Sequence, residues 1–344
     1  MSDPQADARA AGLRYVSDQD PGISRQRRGR GFSYHRPDGS LVDDAETRAR
    51  IDSLAIPPAY RDVWICTLDS GHLQATGRDD RARKQYRYHP LWESHRSRKK
   101  YGRMVPFGEA LPALREKVNA DLRRQKLDRE KVSALAVALL DETLARIGNA
   151  AYAQEHGHYG LTTLRDKHAQ EGSGGSASGV IRLEYTGKSG KTQALTVRDR
   201  RLARLVRACR DIPGYDLFQY YTESGKATLE SGDVNAYLRE AVGDFTAKDF
   251  RTWGGTVHAA RALAGEPVPE SDRQRQSIEA EAIRAVAAEL GNTPAVTRNH
   301  YVHPDILDAY RAGTLAERMR VRNAGNTPAG LAPPEAAVLD LLRG

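Results

Sequence analysis

Between residues 127 and 150 the chain reads LDREKVSALAVALLDETLARIGNA, with Val132, Leu135, Leu139, Leu140, Leu144 and Ile147 at three- and four-residue steps. That period lines the apolar side chains along one helix face. Asp128 is suited to cap this helix and Gly148 to stop it, which places Arg146 beside the apolar seam, one turn from the helix end. Helical periods recur at 198–211, 232–242, 246–264 and 272–290, the last ending at Gly291. In VIRLEYTGKSGKTQALTV (180–197), Ile181, Leu183 and Tyr185 alternate with polar neighbours before a turn at 187–191, which predicts a β-hairpin with a polar tip.

Upstream the period shortens to two. FSYHRPDGSLV, DVWICTLDSGHLQATG and RKQYRYH read as short strands cut by Pro-Asp-Gly and Ser-Gly turns, and the acid-led DDAETRARIDSL as a short helix. The expected fold class is α+β: a small β-rich domain followed by a larger, mainly helical one with a small sheet. The boundaries read as a flexible tail over 1–24, a β-rich domain over 25–95, a basic hinge over 96–104, a helical domain over 105–322, and a linker with a short amphipathic helix over 323–344. A length of 344 residues is consistent with two such cores.

Charge narrows the function. Of a net +8, residues 78–103 supply +7, with ten Lys/Arg against three Asp/Glu, and SRQRRGRGFSYHR (24–36) adds five arginines and no acid. Tyr86, Tyr88, Trp92 and Tyr101 are interleaved with the first of these runs. A solvated basic face is the bland explanation, but the alternation in KQYRYH points to a strand carrying rings among positive charges, the footprint of a nucleic-acid binder. No apolar run reaches membrane-spanning length, no secretory h-region opens the chain, and Cys66 and Cys209 form neither a metal-ligand spacing nor a disulfide framework. These features predict a cytoplasmic protein associated with the nucleoid through DNA. No Walker loop, GxGxxG, HExxH or DxDxDG motif occurs, so no ATP, nicotinamide, zinc or calcium is expected.

Four residues remain that suit one chemistry. Singly, each has an ordinary explanation: Arg146 as a helix C-terminal cation, Lys188 as a solvated turn lysine, Arg251 in KDFRTWGG as a guanidinium stacked on aromatics, and Tyr301 in RNHYVHP as a packed ring. Together, two guanidiniums, one mobile amine and one phenol fit phosphoryl transfer at a phosphodiester. Arginines can stabilise a phenolate and grip non-bridging oxygens, and a lysine can protonate the leaving alkoxide.

Five blocks in order, IPPAYRDVWICTLDSGHLQATGRDDRARKQYRYH (56–89), LARIGNAAYAQEHGHYGLTTLRDKH (144–168), YTGKSGK (185–191), KDFRTWGG (248–255) and ELGNTPAVTRNHYVHP (289–304), resemble the bacterial and poxvirus type of DNA topoisomerase IB. The resemblance covers roughly residues 25–310. It implies a monomeric clamp on duplex DNA that needs no nucleotide or metal. It further implies Tyr301 as nucleophile, Arg146 and Arg251 as transition-state clamps, Lys188 as general acid with Lys191 a rival in the same turn, and Lys248 as an assistant in proton transfer or phosphate binding. Gln85, Tyr86 and Tyr88 would lie in the major groove, with Tyr152 a further contact. The flanking Arg83, Lys84, Lys99 and Lys100 are expected at phosphates from the charge run. Asn292 stands where many relatives have histidine nine residues before the nucleophile, and is expected to donate to a phosphate oxygen without carrying charge. His300 and His303 are expected not to replace it. A tyrosine recombinase shares most of this set but favours histidine where Lys248 stands, and a non-catalytic DNA binder of the same fold would lack one of these groups.

Overall fold

The computed structural model describes residues 3–172, 179–320 and 327–344, which divide into two compact units between Tyr101 and Gly102. In the first unit, helix α1 (Pro4–Ala10) precedes a hairpin of β1 (Ile23–Arg28) and β2 (Gly31–His35), helix α2 (Ala45–Ser53), strands β3 (Arg61–Ile65), β4 (Leu73–Arg78) and β5 (Lys84–Tyr88), and helix α3 (Pro90–Tyr101). The strands form one antiparallel sheet in the order β2-β1-β3-β4-β5. Asp44 caps α2 through the Thr47 amide, and Ile51 of that helix packs with Ile23, Val42, Val63, Ile65 and Ala75 in the core.

Two expectations fail here. The predicted tail is not flexible throughout: Pro4 starts α1, Asp3 caps it, and Ala8 and Leu13 are buried against Trp92. Short apolar residues too sparse to signal a core are buried by a tryptophan 84 positions away. The predicted hinge is largely helix, since α3 runs to Tyr101, and its Lys99 bonds Asp7 of α1 at 2.6 Å.

The second unit holds α4 (Met104–Asp121), α5 (Arg129–Thr143), α6 (Ala150–His156), a sheet of β6 (Ala169–Glu171), β7 (Ile181–Thr186) and β8 (Thr192–Val197), helix α7 (Arg200–Arg210), and a hairpin of β9 (Gln219–Thr222) and β10 (Gly225–Thr228). There follow α8 (Ser231–Val242), α9 (Ala247–Ala264), α10 (Asp272–Leu290), α11 (Pro294–His300), α12 (Pro304–Arg311), α13 (Leu315–Met319) and α14 (Pro333–Arg343). Mixed α+β architecture is as expected; the third strand β6 and the β9–β10 hairpin carry no clear sequence signal.

Helix α9 is the spine of this unit and packs against α4, α5, α10, α12, α13 and α14. The C-terminal helix α14 is part of the core. Its buried Glu335 binds Arg115 of α4, which also binds Asp141 of α5 at 2.8 Å, and accepts from the Trp253 indole of α9 at 3.1 Å. The linker expected from residue 323 falls in part on 323–326, outside the described residues.

Candidate active site

The helix predicted over 127–150 stops early. Asp128 caps α5 as expected, but Leu144 turns left-handed (φ 53°), so Arg146 lies on an irregular segment beyond the helix. A left-handed leucine costs about 1–2 kcal/mol, and tertiary contacts hold it. Leu144 sits on Gly254 of α9, where a Cβ would come within 2.4 Å of its side chain, and its carbonyl accepts from Arg251. The Arg146 and Ile147 carbonyls then accept the Leu161 and Thr162 amides, both at 2.8 Å. Arg146 is therefore placed by α9 and by the 160–162 turn.

Arg251 is a charged residue on the inward face of α9, with 5% of its surface exposed. Besides Leu144, it donates to the Leu290 carbonyl at 2.8 Å, tying together the ends of α5 and α10. Its Nε is buried with no hydrogen-bond partner among the described residues. Gly291 ends α10 in the left-handed conformation (φ 62°), and the Asn292 amide closes onto the Ala287 carbonyl. That turn aims the Asn292 side chain at Arg146, whose guanidinium donates to its carbonyl oxygen. The bond fixes the amide orientation and leaves Nδ2 buried and without a partner.

Thr293 and Pro294 restart the chain as α11, and Tyr301 is the residue that caps its end. The Tyr301 backbone rests on α9: its carbonyl lies 3.3 Å from the Thr256 hydroxyl, and that hydroxyl accepts the His303 amide at 3.0 Å. Gly255 permits this approach, since a Cβ there would stand 2.7 Å from the Tyr301 carbonyl oxygen. The Arg251 guanidinium carbon is 5.1 Å from the Tyr301 ring centre, and both Arg251 and Arg146 come within hydrogen-bonding reach of the phenol. Burial opposes ionisation of this phenol, but the two guanidiniums outweigh it and hold its pKa below the ordinary tyrosine value.

Tyr185 of β7 shares a small cavity with Arg146 and Arg251, and burial drives it the other way, up to about 12. Two phenols beside the same guanidiniums thus differ because Tyr185 lacks the hydrogen bonds from both arginines that Tyr301 has.

The structure brings Tyr301, Arg146, Arg251 and Asn292 into one site. The lysines are less close. Lys188 is exposed in the β7–β8 turn and makes no hydrogen bond or ion pair among the described residues; Lys191 in the same turn reaches the Asn292 carbonyl at 3.4 Å. Lys248 is exposed one turn before Arg251, and its ammonium likewise makes no hydrogen bond or ion pair among the described residues. His303 caps α12 through the Asp305 amide at 3.2 Å, a structural duty. Tyr152 is exposed on α6, edge-on to His156 at 4.4 Å. Sequence reasoning missed Thr256, Gly255 and Tyr185; alternation in β7 marked Tyr185 only as inward-facing.

In the first unit, β5 is an edge strand on which Tyr86 and Tyr88 stack, exposed, with centres 5.9 Å apart. Gln85 donates to Asp79 at 3.0 Å, Arg83 pairs with Asp79 and Lys84 with Asp18. Burial lowers the Lys100 ammonium to about 8. Several cations of this run are therefore partly neutralised by neighbouring acids or by burial.

Comparison with known proteins gives the family. A family described as "Eukaryotic DNA topoisomerase I, catalytic core" matches residues 84–322, and one described as "Bacterial DNA topoisomerase IB, N-terminal domain" matches residues 31–79. The chain is 30% identical over 299 residues to "DNA topoisomerase 1B" of Acanthamoeba polyphaga mimivirus, across 84% of this chain and 88% of that protein. With the catalytic-core match spanning most of its length, the chain belongs to the DNA topoisomerase IB family, an isomerase family.

Proposed function

We propose that the protein relaxes supercoiled duplex DNA by reversible single-strand cleavage through Tyr301. The observation that carries this reading is a partly buried phenol within hydrogen-bonding reach of two guanidiniums, beside two buried donors, Arg251 Nε and Asn292 Nδ2, that have no partner among the described residues. Tyr301 Oη attacks phosphorus and loses its proton to solvent. The bond from phosphorus to the 5′ oxygen breaks, giving a 3′-phosphotyrosyl link, and the leaving oxygen takes a proton to become a 5′-hydroxyl. Charge growing on the non-bridging oxygens meets Arg146, the Nε edge of Arg251 and Nδ2 of Asn292, donors already oriented before the reaction. Three donors of which two are cationic perform the neutralising role a metal would otherwise take, so the proposed step needs no metal, and a phosphotyrosine that keeps the bond energy needs no ATP.

The phosphotyrosine conserves the energy of the broken bond. The free end swivels, driven by torsional strain, until the 5′-hydroxyl attacks back. A monomer suffices, with β5 and Tyr152 among the DNA contacts, in the cytoplasm that the sequence features predict.

For the general acid, two lysines compete. Lys188 matches the position implied by family resemblance; Lys191 is the one within reach of the Asn292 backbone. A substrate with sulfur in place of the 5′ bridging oxygen decides between them, because a thiolate leaves without protonation. Only loss of the true acid is rescued by it.

The founding test is relaxation of negatively supercoiled plasmid in EDTA without ATP, beside Tyr301→Phe. Relaxation by the wild type and none by the variant supports the reading; a wild type that binds but leaves the plasmid supercoiled ends it.

A further inference from the structure

The five arginines in residues 24–36 have no part in the site above, and three of them, Arg27, Arg28 and Arg30, cluster at one hairpin tip. The β1–β2 hairpin pairs from Ser24 opposite His35 to Arg28 opposite Gly31, yet a third strand accompanies it only at Ile23 and Ser24, opposite Ile65 and Trp64. From Arg25 to the tip it is a two-stranded ribbon. Such a ribbon is marginally stable alone, and Arg25 secures its base. The Arg25 guanidinium donates to the carbonyls of Ile56, Pro57 and Tyr60 at 3.3, 3.1 and 2.6 Å, and lies 4.2 Å above the Phe32 ring.

Beyond Arg25 the picture changes. Residues 26–31 are exposed, and Arg27, Arg28 and Arg30 have no carboxylate partner among the described residues. Elsewhere in this unit Arg36 pairs with Asp44, Arg50 with Asp69 and Arg83 with Asp79. An unneutralised cluster on a thin ribbon repels itself, a cost that a bound polyanion removes.

The ribbon occupies the sheet edge opposite β5. At about 4.8 Å per strand, β2 and β5 lie roughly 19 Å apart, or about five to six base pairs of duplex rise at ~3.4 Å each. B-DNA's major groove admits a two-stranded ribbon, and guanidiniums on both of its sides suit the phosphates that flank a groove.

We propose that the β1–β2 ribbon is a second DNA-binding element, contacting the same duplex about half a helical turn from the strand that bears Gln85, Tyr86 and Tyr88. Arg27, Arg28 and Arg30 bind phosphates, Gln26 sits at the groove, and Arg25 is a positioning residue. This assignment rests on the DNA-acting reading above.

The test compares R27A/R28A/R30A with R27K/R28K/R30K and the unaltered tip, each carrying Tyr301→Phe so that binding is read without cleavage. Salt dependence of duplex binding and hydroxyl-radical footprints are the readouts. Each phosphate contact contributes about 0.9 to the log–log salt slope, so the alanine variant is expected to lose about 2–3 in slope. Its footprint loses one block of protection roughly half a turn from an unchanged remainder, while the lysine variant keeps most of both.

An unchanged slope and footprint overturn the assignment. So does a loss confined to bridging of two duplexes, which would place the tip on a separate DNA segment. Absence of any footprint from the parent protein would overturn the DNA-acting reading as well, and so tells the two failures apart.

Discussion

Replacing Arg251 with lysine keeps a positive charge in the site and removes its planar fork. The arginine is 5% exposed and holds two backbone carbonyls, Leu144 and Leu290, that belong to different segments. Its Nε is buried without a partner among the described residues, placed to serve a phosphate oxygen under the proposed function, and its charge lowers the pKa of Tyr301. An ammonium has three donors that radiate from one point, so it cannot serve both carbonyls and the reacting centre at once. At least one buried carbonyl loses its partner, which costs about 1–3 kcal/mol of stability. In a unit of this size that is a fall in Tm of roughly 2–8 °C. Loss of one oriented donor to the developing charge lowers the cleavage rate by about 10²–10³-fold. The assay is single-turnover formation of covalent protein–DNA adduct at saturating duplex, with calorimetric unfolding of the same preparations. A variant that cleaves within about fivefold of wild type and melts at the same temperature would show that charge alone is required, and would refute the argument from the fork.

Four further outcomes are expected. Gly255→Ala puts a Cβ 2.7 Å from the Tyr301 carbonyl oxygen, and a displaced nucleophile should slow adduct formation by about 10–100-fold with DNA affinity kept; normal kinetics would mean that this approach does not position the tyrosine. Asn292→His should lower the rate, most strongly below about pH 6.5, because a protonated ring cannot accept from Arg146 as the amide does; a faster variant across the pH range would show that the site is not built around the amide. Spectrophotometric titration should find a phenol that ionises below the usual value of about 10, absent in Tyr301→Phe and moved back up in Arg146→Ala. Because its folded pKa lies below the unfolded one, that phenol adds stability only at alkaline pH and none near neutrality. Glu279→Gln should destabilise the protein by about 1–3 kcal/mol, since this carboxylate, 1% exposed on α10, binds Arg298 of α11 and Arg311 of α12 on either side of Tyr301. Burial works against its ionisation but both arginines hold its pKa below the ordinary glutamate value, so the contribution is present above that value and fades as pH falls through the folded pKa; a denaturation midpoint equal to wild type at pH 7 would dismiss this clamp.

Local patterns in the sequence settled much of this protein. Periods of 3.6 and two residues placed α7 to α10, the β7–β8 hairpin and strands β2 to β5, because amphipathic elements write their buried face into the chain. Asp128 caps the helix it was expected to cap, since capping needs only a side chain and amides two or three residues on. Tyr301, Arg146, Arg251 and Asn292 were legible as a set because five blocks resemble one family.

What the sequence could not decide were contacts between residues far apart in it. Leu144 leaves the helix pattern because Gly254 and Arg251, more than a hundred positions away, accept its side chain and carbonyl. The same long-range packing made α1 a helix under Trp92 and gave the C-terminal helix Arg115 and Trp253 as partners. Thr256 carries no signal of its own, yet it joins the arginine helix to the Tyr301 carbonyl and the His303 amide. Whether Lys188 or Lys191 faces the Asn292 turn depends on how one hairpin lies on another segment, and no spacing within the hairpin encodes that. Periodicity reports which face of an element is buried; only the folded chain determines which distant residues bury it.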